Sequence, residues 1–137
     1  MREILFRGKT YKNEWAYGLL AVGKDLDWAS ILPIETIDDA PPMFAEIEVE
    51  PETVGQYTGL CDKNGTKIFE RDIVKQTMTV NGETIQKVAD IIYNDGSYWL
   101  SYSNNQIFKL SQNTVDIYKL EVIGNLYDNH ELLEVAE

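Results

Sequence analysis

Tight-turn signals divide the second half of this chain, and they constrain its fold more than any other feature. Asp62-Lys63-Asn64-Gly65, Asn81-Gly82, Asn94-Asp95-Gly96 and Asn104-Asn105 recur between short runs rich in β-branched and aromatic residues. Asn-Gly and Asp-Gly suit the two-residue turns whose positive φ angles match the twist of a hairpin. The signals predict a meander with strands at Gly55–Leu60, Lys67–Phe69, Ile73–Val80, Thr84–Tyr93, Ser97–Tyr102, Ile107–Leu110 and Thr114–Ile123. Short strands at such regular spacing predict closure into a small barrel or roll. The C-terminal Asp128-Asn129-His130-Glu131 reads as a helix start, with Asp128 as cap and Glu131 three residues on.

The first half is less regular. Ile4 and Phe6 alternate with charged neighbours as a first strand would, Lys9–Asn13 reads as a turn, and Trp15–Val22 predicts a second strand closed by Gly23. Pro33, Pro41 and Pro42 argue against a long regular element between Lys24 and Met43, so this stretch is expected to be a surface excursion with one short element at most. The expected organisation is an N-terminal β region over residues 1–53 packed on a barrel over 54–128, with a short C-terminal helix or tail over 129–137.

A chain of 137 residues with 44% hydrophobic and 26% charged residues can bury a core without disulfides or metal. Its longest charge-free stretch near the N-terminus, Trp15–Gly23, is far short of the roughly 18 residues that a membrane span needs. No secretory leader is expected, and with Cys61 as the single cysteine the expected compartment is the cytoplasm. Cys61 and His130, the only histidine, cannot build a structural zinc site, and no cofactor is implied. Glu70 and Asp72 lack an accompanying base, nucleophile or metal cluster, so an enzyme is the least favoured class.

The net charge of −11 repels phosphate backbones and disfavours direct nucleic-acid binding. The acidic residues are concentrated. No Lys or Arg occurs between Lys24 and Lys63, whereas Asp25, Asp27, Glu35, Asp38, Asp39, Glu46, Glu48, Glu50, Glu52 and Asp62 all fall there. Glu46-Ile47-Glu48-Val49-Glu50 alternates as a half-buried strand, predicting Ile47 and Val49 toward a core and three glutamates on the other side. Such a stripe is either a solvated edge kept soluble by charge or a surface for a basic partner. Tyr98, Leu100 and Tyr102 share a predicted core face. Trp99, on the opposite face, either stacks on a ligand or packs against the N-terminal strands.

Glu52-Thr53-Val54-Gly55-Gln56-Tyr57-Thr58-Gly59-Leu60, followed by Asp62-Lys63-Asn64-Gly65, Ile68-Phe69-Glu70 and Asp72-Ile73-Val74, resembles the YopX family of phage and prophage proteins. Arg2-Glu3-Ile4 with Phe6-Arg7 resembles the family's opening, and Glu121-Val122-Ile123-Gly124-Asn125-Leu126-Tyr127-Asp128-Asn129 its closing stretch. The resemblance implies a phage or prophage protein of Gram-positive bacteria, mainly β, with an SH3-type barrel. It implies no activity and carries over no catalytic or ligand-binding residue. Arg71 stands where the family usually has glycine, so Arg71→Gly is expected to be neutral or stabilising if that turn needs positive φ. Cys61 stands where a polar residue is usual.

These readings converge on a non-enzymatic protein-binding module. Glu46, Glu48, Glu50, Gln56, Tyr57 and Trp99 are the candidate contacts, and the expected partner is a host or phage protein of basic character. An acidic mimic of DNA, occupying a host nucleic-acid-binding protein, is the alternative. Edge strands also allow a homo-oligomer. The Gln56–Leu60 motif reads chiefly as a folding signature, with Gln56 and Thr58 bonding neighbouring strands.

Overall fold

The computed structural model describes residues 2–33 and 46–134. The chain is mainly β, with two antiparallel sheets and a few short helices. It divides into two compact units, with the boundary between Tyr57 and Thr58.

In the first unit, β1 (Phe6–Lys9), β2 (Trp15–Val22), β3 (Ala29–Pro33) and β4 (Ile47–Val49) pair in the order β4-β3-β2-β1. The start of β5 (Gly55–Cys61) pairs with β1, Phe6 opposite Gln56 and Arg7 opposite Gly55. The core is small-residue-rich: Ala16, Ala29, Ile31 and Val49, joined by Phe6, Leu20 and Val54. The first strand therefore starts two residues later than the Ile4–Phe6 alternation suggests. The second has the expected bounds. Among the described residues, the stretch expected to carry one short element at most holds β3, which is not at the surface but buries Ala29 and Ile31 completely. Pro33 pairs opposite Gly18 at the end of β3, where a missing donor is tolerated. The remainder of the stretch expected to be irregular, 34–43, lies outside the described residues.

In the second unit, β5 continues onto β6 (Lys67–Phe69). The other sheet contains β7 (Asp72–Val80), β8 (Glu83–Asn94), β9 (Ser97–Ser101), β10 (Ile107–Lys109) and β11 (Glu121–Asn125), in the order β10-β9-β8-β7-β11. The turn signals act as expected. Asn81 and Gly82 have φ of 51° and 82° and close the β7–β8 hairpin, while Asp95 and Gly96, at 50° and 76°, close β8–β9. Ile68, Val74, Ala89, Ile91, Leu100, Leu110, Val115 and Leu120 form the buried core, and Tyr98 and Tyr102 pack on it.

Three expectations need correction here. The sheets do not close into a barrel: β10 and β11 stand at the two edges of the five-stranded sheet. The stretch from Thr114 to Ile123 is not one strand but helix α1 (Gln112–Tyr118) followed by β11. Ser111 caps this helix by accepting from the Thr114 N–H at 3.2 Å, and Lys119 ends it in the left-handed region at φ 51°. The alternating Val115 and Ile117 mimic a strand, yet only Val115 is buried. Asp128 is not a cap either. Asn125 takes that role, accepting from Tyr127 and Asp128 N–H groups at 3.0 and 2.9 Å, so α2 (Leu126–Asn129) starts earlier and α3 (Glu131–Glu134) follows it.

Candidate functional site

Strand β4 is the edge of the first unit's sheet, and it pairs Ala29 with Val49, Ser30 with Glu48 and Ile31 with Ile47. Directly paired residues share a face. Val49 is fully buried against the small-residue core, but Ile47 is 36% exposed, so the expected inward pair is only half realised. Ile47 opens a three-residue strand with a neighbour on one side only. Glu46 and Glu48 are exposed and line an open depression of about 480 Å³ with Trp28 and Ser30. Trp28, 45% exposed, supplies an aromatic wall that the sequence reading missed. Its signal was present, an indole beside Asp25 and Asp27 in the window lacking Lys and Arg.

Glu50 lies just past β4, half-buried, its N–H donating to the Lys9 carbonyl at 2.8 Å. Tyr11 stands exposed in the field of the same carboxylates. Desolvation, then the charges of Glu48, Glu52 and Glu50, raise the pKa of its hydroxyl, so the ring remains a neutral donor. Glu46 and Glu48 with Trp28 thus make an acidic, aromatic-bearing edge within one unit, and Tyr11 lies in the field of Glu48, Glu50 and Glu52.

The other candidates fall elsewhere. Gln56 is half-buried in the β1–β5 pairing. Tyr57 is 8% exposed, as a ring that serves the fold would be, and its N–H donates to the Leu5 carbonyl at 2.8 Å. Trp99 belongs to the second unit, is half-buried, and donates its indole N–H to the Asn94 carbonyl at 2.8 Å across the β8–β9 hairpin.

The motif around them organises backbone. The Thr58 hydroxyl donates to the Ile68 carbonyl at 2.8 Å, tying β5 to β6. Buried Asp62 accepts from the N–H groups of Asn64 and Thr66 at 2.8 and 2.9 Å with Oδ1, and from Val122 at 2.8 Å with Oδ2. One carboxylate therefore closes the turn and anchors β11. Asp72 accepts from the Phe69 N–H at 2.7 Å. Arg71 has φ 65° and forms a forked pair with Asp90 at 3.1 and 2.5 Å. Burial lowers its pKa, but the hydrogen bonds and charge of Asp90 outweigh that, with smaller help from Tyr127 and Glu70, and the net shift is upward.

Glu70 is half-buried beside the buried Asp72, and His130 meets the Glu134 carboxylate at 3.8 Å on an exposed face. Among the described residues, no group of three or more His, Cys, Asp or Glu is placed to hold a metal ion. No helix among them is long and apolar enough to cross a membrane.

The chain is similar over its length to two solved structures. One is protein EF1440 from Enterococcus faecalis, at 23% identity and a TM-score of 0.58, covering 97% of this chain and 99% of that one. The other is protein yopX from Bacillus subtilis, at 19% identity and a TM-score of 0.59, with the same coverage of 97% and 99%. At such identities the likeness is one of fold. The comparison with curated proteins gives no match. The YopX protein family matches from residue 5 to residue 134, which takes in nearly the whole sequence, and the chain belongs to that family.

Proposed function

We propose that this protein is a non-enzymatic binding module, encoded by a phage or prophage and acting in the cytoplasm of the host cell, and that its acidic edge strand receives a basic segment of a host or phage protein. The observation that carries the reading is the placement of Glu46 and Glu48 with Trp28 along an open depression on a sheet edge. Carboxylates attract Lys and Arg at long range and speed encounter, while an exposed indole offers a cation–π platform and apolar area. A sheet edge can also add a partner's extended strand through main-chain hydrogen bonds. The enzyme reading has no comparable support.

A tagged full-length pull-down from host lysate at low and physiological salt tests the proposal, beside a variant with Glu46, Glu48 and Glu50 replaced by Gln. The expected result is one stoichiometric basic protein, captured more strongly at low salt and lost in the triple variant. Capture that is equal in the variant overturns the role of β4 and redirects attention to the surface around Trp99. If the captured protein is a nucleic-acid-binding protein and is displaced by DNA, charge mimicry becomes the better description of the same surface.

A further inference from the structure

The second unit holds a partly open cleft of a different kind, independent of the acidic edge. Gln76 and Met78 stand two apart on β7 and share a sheet face, and Lys87 on β8 is the direct cross-strand partner of Gln76. With Tyr102, Gln106, Phe108 and Tyr118 they line a cavity of about 190 Å³. A cavity of roughly 150 Å³ is enough for benzene, so this one accommodates a single aromatic ring with a small substituent.

The lining specifies that guest further. Three of the lining residues are aromatic, and Tyr102 and Phe108 already meet edge to face with centroids 5.8 Å apart at 77°. A planar guest would extend the cluster in the same geometry. The buried Gln76 amide accepts from the Tyr102 hydroxyl, while its Nε2 donates to the Met78 sulfur at 2.9 Å. A thioether is a weak acceptor, so an oxygen anion would compete well for that N–H. Among the described residues Lys87 is the only charged one in the lining, and it lies across the strand pair from that same amide. Two donors therefore converge beside an aromatic wall. A cationic guest would be repelled by the Lys87 ammonium, and an aliphatic one would forgo the ring contacts.

We propose that this cavity binds a small aromatic carboxylate, with its ring among Tyr102, Phe108 and Tyr118 and its carboxylate accepting from Lys87 and the Gln76 amide. The protein's overall negative charge opposes an anion at long range, but at physiological salt the Debye length is about 8 Å and the nearest charge dominates.

The test is amide-resolved NMR of the full chain at physiological salt, titrated with benzoate, benzamide and cyclohexanecarboxylate. Benzoate should perturb amides clustered around Gln76, Lys87 and Tyr102, saturating by about 10 mM, as weak fragment-sized ligands do. The other two compounds should bind roughly tenfold more weakly, the loss of one charge-assisted hydrogen bond or of the ring contacts. Lys87 is exposed, so Lys87→Met should keep the fold while weakening benzoate to the benzamide level and leaving benzamide unchanged. Phe108→Leu should weaken both aromatic compounds but not cyclohexanecarboxylate. Scattered shifts without saturation, equal binding of all three compounds, or benzoate binding unaffected by Lys87→Met would each overturn the proposal.

Discussion

Arg71 combines two opposed contributions at one position. Its left-handed φ of 65° costs a non-glycine residue roughly 1 kcal/mol, which taken alone favours Arg71→Gly. Its guanidinium, however, is the forked partner of Asp90, whose side chain is 10% exposed. Removing the partner of a buried charge costs more than relieving the backbone gains, even after discounting for the partly exposed Arg71. The expected outcome of Arg71→Gly is therefore a loss of about 1–2 kcal/mol in urea unfolding, opposite in sign to the sequence-based expectation. The double variant with Asp90→Asn should recover part of the loss. Tyr102 makes a second prediction. Burial first, then Tyr118, pushes its pKa up to about 12 from 10.0. The folded state thus retains this proton where the unfolded chain releases it. Its contribution is fully present below pH 10 and is lost as the pH rises from 10 through 12. In thermal melts the wild-type advantage over Tyr102→Phe should be constant up to pH 10 and shrink beyond it.

At the scale of elements, single side chains and close backbone approaches hold the strands in register. Asp62 joins the β5–β6 turn to β11 through three backbone N–H groups. Asp62→Asn keeps an acceptor for the turn but sets an amide N–H against the Val122 donor. It should cost about 1.5–3 kcal/mol, and increased hydrogen exchange at Val122 would reveal the loss. Gly18 on β2 faces the backbone of Leu32 and Pro33, so closely that an added Cβ would lie 2.6 Å from the Leu32 carbonyl carbon. Gly18→Ala should destabilise the first unit by about 2–3 kcal/mol, seen as lost protection in β2 and β3. At Gly82, by contrast, the space is open and only φ is at stake, so alanine there should cost about 1 kcal/mol.

At the scale of the whole molecule the dominant quantity is a charge of −11 on 137 residues. Self-repulsion of that size destabilises a compact chain and is screened as the Debye length falls from about 30 Å at 10 mM salt to about 8 Å at 150 mM. The melting temperature should rise by roughly 2–5 °C over that range, whereas binding of a basic partner at β4 should weaken over the same interval. A flat melting temperature would indicate that local pairs such as Lys75 with Glu121 at 3.4 Å already compensate the repulsion.

Local chemistry determined much of this protein from the sequence alone. Asn81-Gly82 and Asp95-Gly96 specify their hairpins because few other residues adopt positive φ cheaply, and the charge-free Trp15–Val22 run closed by Gly23 was legible as β2. The family motif was legible in part for the same reason, since Asp62 and Asp72 accept from backbone N–H groups of their own turns. Tertiary structure decided the rest. Whether the sheets close depends on pairing between distant edges, which no local signal encodes. The Val115–Ile117 alternation reads equally as strand or helix until Val115, and not Ile117, meets the core. The acidic stripe was visible as composition, but its Trp28 wall required β3 and β4 to pair. Gln76, Lys87 and Tyr102, scattered in sequence, line one cleft only because the meander brings β7, β8 and the end of β9 side by side, and burial rather than residue type sets how Tyr102 titrates.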